Sequence, residues 1–291
     1  MSAPNPVIRC REIGPADLDV IADLLTRGFQ GRRPSYWLKG LQRQATREIP
    51  EGYPRFGYML DHGGRAVGVL LLIYTAHGDG TQIWCNLSSW YVEPAFRNFA
   101  PMLTKVAQRL KDVTYFNISA ARGTWPIIEA QGFRSYCEGV VLSVPALSRA
   151  ERGTYIEVVT ADATAIDGLT REEAKLLIRH ARYGCLSITV RSLHGTTPFV
   201  LQPFRIRRGL IPLPVMQLIY CRNTADYVAY AGTIGRFLLG RGKMAVLFDA
   251  NGPVPDLIGV FTERRGRKYV KGPHRPRLGN LSDTELVLYG P

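Results

Sequence analysis

The stretch Trp90–Leu103, WYVEPAFRNFAPML, passes from a strand through a turn into an apolar helix, and its reading decides the fold. The residues before it, QIWCNLSS from Gln82 to Ser89, are aromatic, branched and polar in partial alternation, which favours a strand. Pro94 ends that strand. From Pro101 the apolar positions Met102, Val106 and Leu110, with Leu103 and Ala107 beside them, recur at helical spacing, so a helix is predicted to start near Ala100 or Pro101. The first amides of such a helix lack partners and lie at the positive end of its dipole. Arg97 stands just ahead and adds a full charge, so the junction suits an anion, most simply a phosphate or pyrophosphate. The plainer reading is a strand-to-helix connection carrying a solvated arginine.

The chain is 291 residues long, more than one typical domain and enough for two of roughly 150 each. Hydrophobic residues make up 46% and charged residues 21%, values of a folded globular protein, which excludes disorder and low complexity. The longest apolar run, AVGVLLLIYTA from Ala66, is too short for a membrane helix and reads as a buried strand, so no membrane insertion is expected. The N-terminal MSAPNPVIRCRE lacks a basic region followed by an apolar core, and a cytoplasmic location is the expectation. The five cysteines (Cys10, Cys85, Cys137, Cys185 and Cys221) are scattered singly, without histidines at metal-ligand spacing. They read as reduced core residues, with no metal expected.

A net charge of +13 attracts anions of several kinds, and its densest source is RRGRKYVKGPHRPR, Arg264–Arg277. Nucleic acid, an acidic polysaccharide or a nucleotide cofactor would be drawn to such a surface, and a solvated basic hairpin is the bland alternative. No dedicated nucleic-acid motif accompanies the charge, so nucleic acid is not the favoured partner.

Along the chain, VIRCREI from Val7 reads as a strand and GPADLDVIADLLTRGF as a helix stopping at Gly28. SYWLKGLQRQA is a second helix, and Asp61–Gly64 is the turn of a hairpin. After the strand ending at Val92 come a helix to about Lys111, the strand VTYFNIS, the short helix TWPIIEAQ and the strand SYCEGVVLSV. The polar stretch Pro145–Gly153 reads as a linker, after which a similar order of elements begins again. There Thr170 and Glu173 form a capping box opening a helix, VPDLIGVF reads as a helical turn, and RKYVKG and ELVLYG as closing strands. Repetition at half the chain length indicates duplicated domains, expected at residues 1–146 and 154–291, of an α+β class with mixed, mostly antiparallel sheets flanked by helices.

Three segments resemble the Gcn5-related N-acetyltransferase (GNAT) superfamily: IRCREIGPADLDVIADLL, LSSWYVEPAFRNFAPML and WPIIEAQGFRSY, which together cover most of residues 7–144. The second half is similar only in element order, a divergent copy. The resemblance implies an acyltransferase that takes an acyl group, most simply acetyl, from acyl-CoA to an amine or hydroxyl acceptor. It places the coenzyme against Trp90 and Val92 of the strand and Arg97, Asn98, Phe99, Ala100 and Met102 of the turn. Leu87 and Trp90 look like residues of one face yet lie three apart, which predicts a bulge in their strand; in the family a bulge there admits the pantetheine arm.

Departures from the family pattern fall on the same parts. Ala100 replaces the first glycine of the turn, Pro101 has no amide hydrogen, and Met102 replaces a small residue. Ile128 stands where the family often has a proton-donating tyrosine, and Ala121 and Thr124 replace its asparagine and alanine. An amine acceptor with a pKa of about 10 needs a base or water relay. Glu93 is the only carboxylate beside the motif, while Tyr91, Asn117, Ser88 and Ser89 are candidates to hold a water or the acceptor. The basic C-terminal half suits an acidic acceptor or the coenzyme's phosphates. The alternative is a catalytically inactive GNAT-like binding or scaffolding protein with a basic surface for an anionic partner.

Overall fold

Apolar spacing sets which segments become strands and helices, and tertiary pairing then decides which sheet each strand enters. The computed structural model describes residues 7–78, 80–208 and 211–290. The first half runs β1 (Ile8–Glu12), α1 (Leu18–Gly28), α2 (Pro34–Thr46), β2 (Gly57–His62), β3 (Arg65–His77), β4 (Gln82–Val92), α3 (Ala100–Ala107), β5 (Val113–Asn117), α4 (Trp125–Ala130), β6 (Arg134–Cys137) and β7 (Gly139–Ser143). The remainder runs β8 (Tyr155–Val159), α5 (Arg171–Arg182), β9 (Leu186–Ser192), β10 (Gly195–Arg208), β11 (Ile211–Cys221), α6 (Thr224–Leu239), β12 (Ala245–Ala250), β13 (Gly259–Thr262), β14 (Lys268–Lys271) and α7 (Glu285–Leu288). Among the described residues no helix is long and apolar enough to cross a membrane.

Local chemistry explains the elements that match expectation. α1 buries Ile21, Ala22, Leu24 and Leu25 against Ile13, Leu41 and Val69. The β2–β3 turn is closed by Asp61, whose Oδ1 accepts from the Gly64 amide at 2.7 Å. Gly63 and Gly64 have φ of 61° and 86° there, which only glycine adopts freely. Thr170 and Glu173 form the capping box of α5, each side chain accepting from the other's backbone amide at 3.2 Å.

Two mixed seven-stranded sheets result, ordered β1-β2-β3-β4-β5-β14-β6 and β13-β7-β12-β11-β10-β9-β8. In each, one pair is parallel, β4 with β5 and β11 with β12. The sheets exchange strands across the expected linker. Residues 139–143 pair in the second sheet, between β12 and β13. Residues 268–271 return to the first, between β5 and β6. The division at 1–146 and 154–291 therefore does not follow the sheets. The expected single strand SYCEGVVLSV breaks at Glu138, whose amide donates to Asn251 Oδ1 at 2.8 Å while Asn251 Nδ2 reaches the Tyr136 carbonyl at 3.2 Å.

Other expectations are corrected by the same pairing. The turn read as helical at VPDLIGVF holds β13 instead, because Pro253 and Pro255 break a helix and residues 259–262 pair with β7. ELVLYG is not a closing strand but contains α7, preceded by Ser282, Asp283 and Thr284, residues that favour a helix start. The third helix ends at Ala107, short of Lys111. The basic run Arg264–Arg277 is not a solvated hairpin: its centre is β14, where Lys268 and Tyr269 are buried. Arg267 pairs with Glu138 at 2.8 Å and lies 4.6 Å from the Trp125 ring centre.

Lys268 and Asp249 form a buried ion pair at 2.6 Å between β14 of the first sheet and β12 of the second. Burial pushes the Asp249 carboxyl above its ordinary range, against the opposing pull of Lys268. Removing one partner leaves the other charge buried alone. Lys268→Met is expected to cost about 3–5 kcal/mol in urea denaturation at neutral pH, and the double variant Lys268→Met with Asp249→Leu to recover most of that loss.

Candidate functional site

The cavity forms where a parallel strand pair comes apart. β4 and β5 stay in register from Ile83↔Val113 to Asn86↔Phe116, and no ladder joins them further on. Ser89 bulges out, because Leu71 pairs with Ser88 and Leu70 with Trp90; this is the bulge that the Leu87–Trp90 spacing predicts. Asn86 sits buried at the fork. Its Nδ2 donates to the carbonyls of Phe116 and Leu87, both at 3.3 Å, and its Oδ1 accepts from the amide of Glu285 at 2.9 Å. One carboxamide thus ends the ladder and anchors α7.

The opening is a cavity of about 150 Å³. Leu87, Ser88, Ser89 and Trp90 wall it from β4, Asn117, Ser119, Ala120 and Ala121 from the end of β5, and Thr124, Ile128 and Gln131 from α4 and its flanks. Thr104 and Gln108 line it from α3, Phe29 from the end of α1, and Glu285 from α7. The Trp90 indole N–H is buried without a partner among the described residues. Gln108 Nε2 donates to Gln131 Oε1 at 3.0 Å, and Lys271 Nζ donates to Gln108 Oε1 at 3.0 Å, a polar strap between α3 and α4.

Glu285 is the chemically distinctive group. Its Oε2 accepts from Ser88 Oγ and its Oε1 from Ser119 Oγ, both at 2.6 Å. The Ser89 amide, turned out by the bulge, is a further donor. No cation pairs with it among the described residues. Burial raises its pKa above the ordinary 4.5, and the hydrogen bonds from Ser119, Ser88 and Ser89 only partly offset that. Two residues earlier, Asp283 is also buried, but the charges of Arg179 and Arg47 outweigh burial and hold it down to about 2. Arg179 grips it with two hydrogen bonds of 2.6 and 2.8 Å.

α7 is held from the other side by α2. Arg43 Nη1 donates to the carbonyls of Val287 and Leu288 at 3.2 and 3.1 Å, and Tyr289 donates to Gln44 Oε1 at 2.8 Å. Gly40 leaves room for the Tyr289 ring, which would lie 2.0 Å from a Cβ there. His180 is buried: its Nε2 accepts from the Asp283 amide at 3.3 Å, so Nδ1 carries the proton toward the Leu176 carbonyl at 2.8 Å.

Of the candidates named from sequence, Ser88, Ser89, Trp90 and Asn117 line the cavity, as do Ala121, Thr124 and Ile128, the positions that depart from the family pattern. Asn117 Oδ1 is engaged by the Ser119 amide at 3.1 Å, capping the end of its strand. Glu93 lies outside, paired with Arg27 at 3.1 Å and Arg65 at 3.0 Å. Tyr91 packs against Gly28 and Phe29 beneath α1, and Val92 is buried in the core. Arg97, Asn98, Phe99 and Met102 are exposed and Ala100 is half-buried, none of them lining the cavity. Pro94–Phe99 form a 3-10 turn running into α3, and the Ala100 amide is spent on the Arg97 carbonyl. The amide-rich turn anticipated from sequence is therefore partly closed on itself. Glu285 and Ser119 were missed; the sign that could have found Glu285 is a lone carboxylate in an apolar run just after Ser-Asp-Thr. Cys85 is a buried core thiol whose pKa burial raises, which leaves it no nucleophilic role.

No protein-family model and no curated protein matches the sequence. Solved structures do match the fold. A Pyrococcus horikoshii protein assigned as an acetyltransferase aligns with a TM-score of 0.53 and 11% identity over 97% of this chain and 93% of its own. The fold is that of the Gcn5-related N-acetyltransferases. Members from Kribbella flavida and Anabaena variabilis ATCC 29413 align at TM-scores of 0.54 and 0.51 with 12% and 10% identity. Each alignment spans 91% of this chain, and 71% and 72% respectively of the other. At such identities the GNAT likeness concerns architecture, and the residues of this cavity have to speak for themselves.

Because its folded pKa is raised, the Glu285 carboxyl gives its full stability contribution below pH 4.5 and loses it as pH rises through the folded value. The stability of Glu285→Gln relative to the parent protein is thus expected to improve as pH rises from 4.5 through the folded value and to level off above it. Denaturation across a pH series measures this, and a difference independent of pH would show that the carboxyl titrates as if in water.

Proposed function

We propose that this protein transfers an acyl group from acyl-CoA, most simply acetyl-CoA, to an amine or hydroxyl acceptor, with Glu285 as the general base. The observation that carries the reading is a carboxyl with raised pKa, held by two serines and a bulge amide, at the point where the parallel strands open. The thioester end of the co-substrate fits the cleft walled by β4, α3 and α4, where the unpartnered Trp90 N–H and the amides of Gln108 and Gln131 offer polar contacts. On this reading Arg97, whose exposure at the turn leaves its charge open to an anion, meets the phosphates.

The acceptor gives its proton to Glu285 as its nitrogen or oxygen attacks the thioester carbonyl. The new bond to carbon forms, the carbon–sulfur bond breaks, and the departing thiolate takes up a proton. Ile128 cannot supply one. Ser119, hydrogen-bonded to the carboxyl and itself in the cavity wall, offers a route by which the proton accepted by Glu285 returns to sulfur. Ionised Glu285 is the active form, so the rate is expected to rise with pH through its elevated pKa. The exposed arginines and net charge of +13 favour an acidic acceptor.

A second reading, a non-catalytic protein that keeps the fold, draws on Ile128 in the cavity and on the self-bonded 3-10 turn ahead of α3. Acetyl-CoA separates the two. On the catalytic reading it raises the melting temperature, as a ligand bound only by the native state must. Arg97→Ala is expected to weaken that shift. Glu285→Gln should keep it while lowering turnover by about a hundred- to ten-thousand-fold. No shift with acetyl-CoA or longer acyl-CoAs well above micromolar concentration would favour the non-catalytic reading.

A further inference from the structure

A second cavity, of about 240 Å³, lies beside the first sheet against the segment that links β14 to α7. Its walls are His77 and Gln82 from the β3–β4 end, Trp84 of β4, Phe116 of β5, and Arg275, Arg277, Asn280 and Ser282 from the link. Trp84 and Ser88 are four residues apart on one strand, roughly 13 Å at the usual rise, so this cavity is separate from the one holding Glu285.

Its charge is one-sided. Among the described residues no carboxylate lines it, and the neighbouring Asp283 is already committed to Arg179. Arg275 is exposed and makes no ion pair or side-chain hydrogen bond among the described residues. Arg277 donates to the Cys221 carbonyl and lies 5.0 Å from the Tyr220 ring centre, so its head is fixed while its charge has no acidic partner among the described residues. The Trp84 indole N–H is buried without an acceptor among the described residues. Around that indole are His77 at 5.3 Å, Phe116 at 6.0 Å and the parallel ring of His274 at 6.2 Å between centres. Two guanidiniums beside an aromatic wall suit a phosphate joined to a flat organic group, since guanidinium forks match phosphate oxygens and the rings offer a face for stacking.

We propose that this cavity binds a small phosphomonoester, with its phosphate against Arg275 and Arg277 and its organic part against Trp84. The site does not depend on the acyl-transfer reading, and its ligand is recognised by the phosphate and the ring, not by a thioester. The lining residues Asn280 and Ser282 belong to the segment that continues directly into Glu285, so a bound ligand also steadies the base.

Thermal melting of the full chain with phenyl phosphate, inorganic phosphate and succinate, each against sodium chloride at matched ionic strength, tests this. Phenyl phosphate should give a saturable rise in melting temperature, inorganic phosphate a weaker one, and succinate none. Arg275→Ala, at an exposed position, should weaken the apparent affinity for phenyl phosphate about tenfold or more, as expected for loss of one charge-assisted contact. Arg97→Ala should leave it unchanged, which separates this cavity from the coenzyme turn. A response that succinate matches, that survives Arg275→Ala, or that Arg97→Ala abolishes would overturn the assignment, as would no response to phenyl phosphate.

Discussion

A sheet edge has to be paired or covered, and strand β5 meets that requirement with a strand from the far end of the chain. Its inner edge runs parallel to β4; its outer edge is met by β14, which also receives β6. Because β14 leaves the second sheet's half of the sequence to do this, β7 is free to serve the second sheet, where it lies between β12 and β13. The buried Lys268–Asp249 pair sits at this crossing. Everything at the site follows from that return: the chain that has completed the first sheet is the chain that then lays α7 against α2 and brings Glu285 to the opening of β4 and β5.

Much of this was legible in the residues. The β2–β3 turn, the capping box at Thr170 and the bulge before Trp90 are set by local chemistry, and each is present as the sequence implies. The strand exchange was not legible, because strand propensity says nothing about which partner an edge will find. For the same reason RKYVKG looked like a closing strand of its own half and the charges around it looked like a surface. α7 was misread since four apolar residues fit a strand as well as a turn of helix; what settles it is docking, through Arg43, Gln44 and the bare Cα of Gly40. Glu93, adjacent in sequence to the motif, proved a pair for Arg27 and Arg65, while a carboxyl distant in sequence took the position by the bulge.

The two acidic residues of the final segment show how environment divides labour between like groups. Asp283 meets Arg179 and stays ionised, serving as an anchor. Glu285 meets only hydroxyls and an amide, donors that favour the anion but carry no charge to compensate its burial. Such a separation of pKa values along one short stretch is how a protein keeps one carboxyl structural and another available for proton transfer.

The sequence distance between Ser88 and Glu285, 197 residues, has a meaning for the life of the chain. During synthesis the first five strands emerge well before β14 and α7, so the outer edge of β5 is paired and Glu285 reaches the cavity only when those two elements arrive. Until then the cavity lacks the buried carboxyl that Ser88 and Ser119 hold. A chain released before β14 is made leaves the outer edge of β5 open, and an unpaired strand edge is an aggregation hazard.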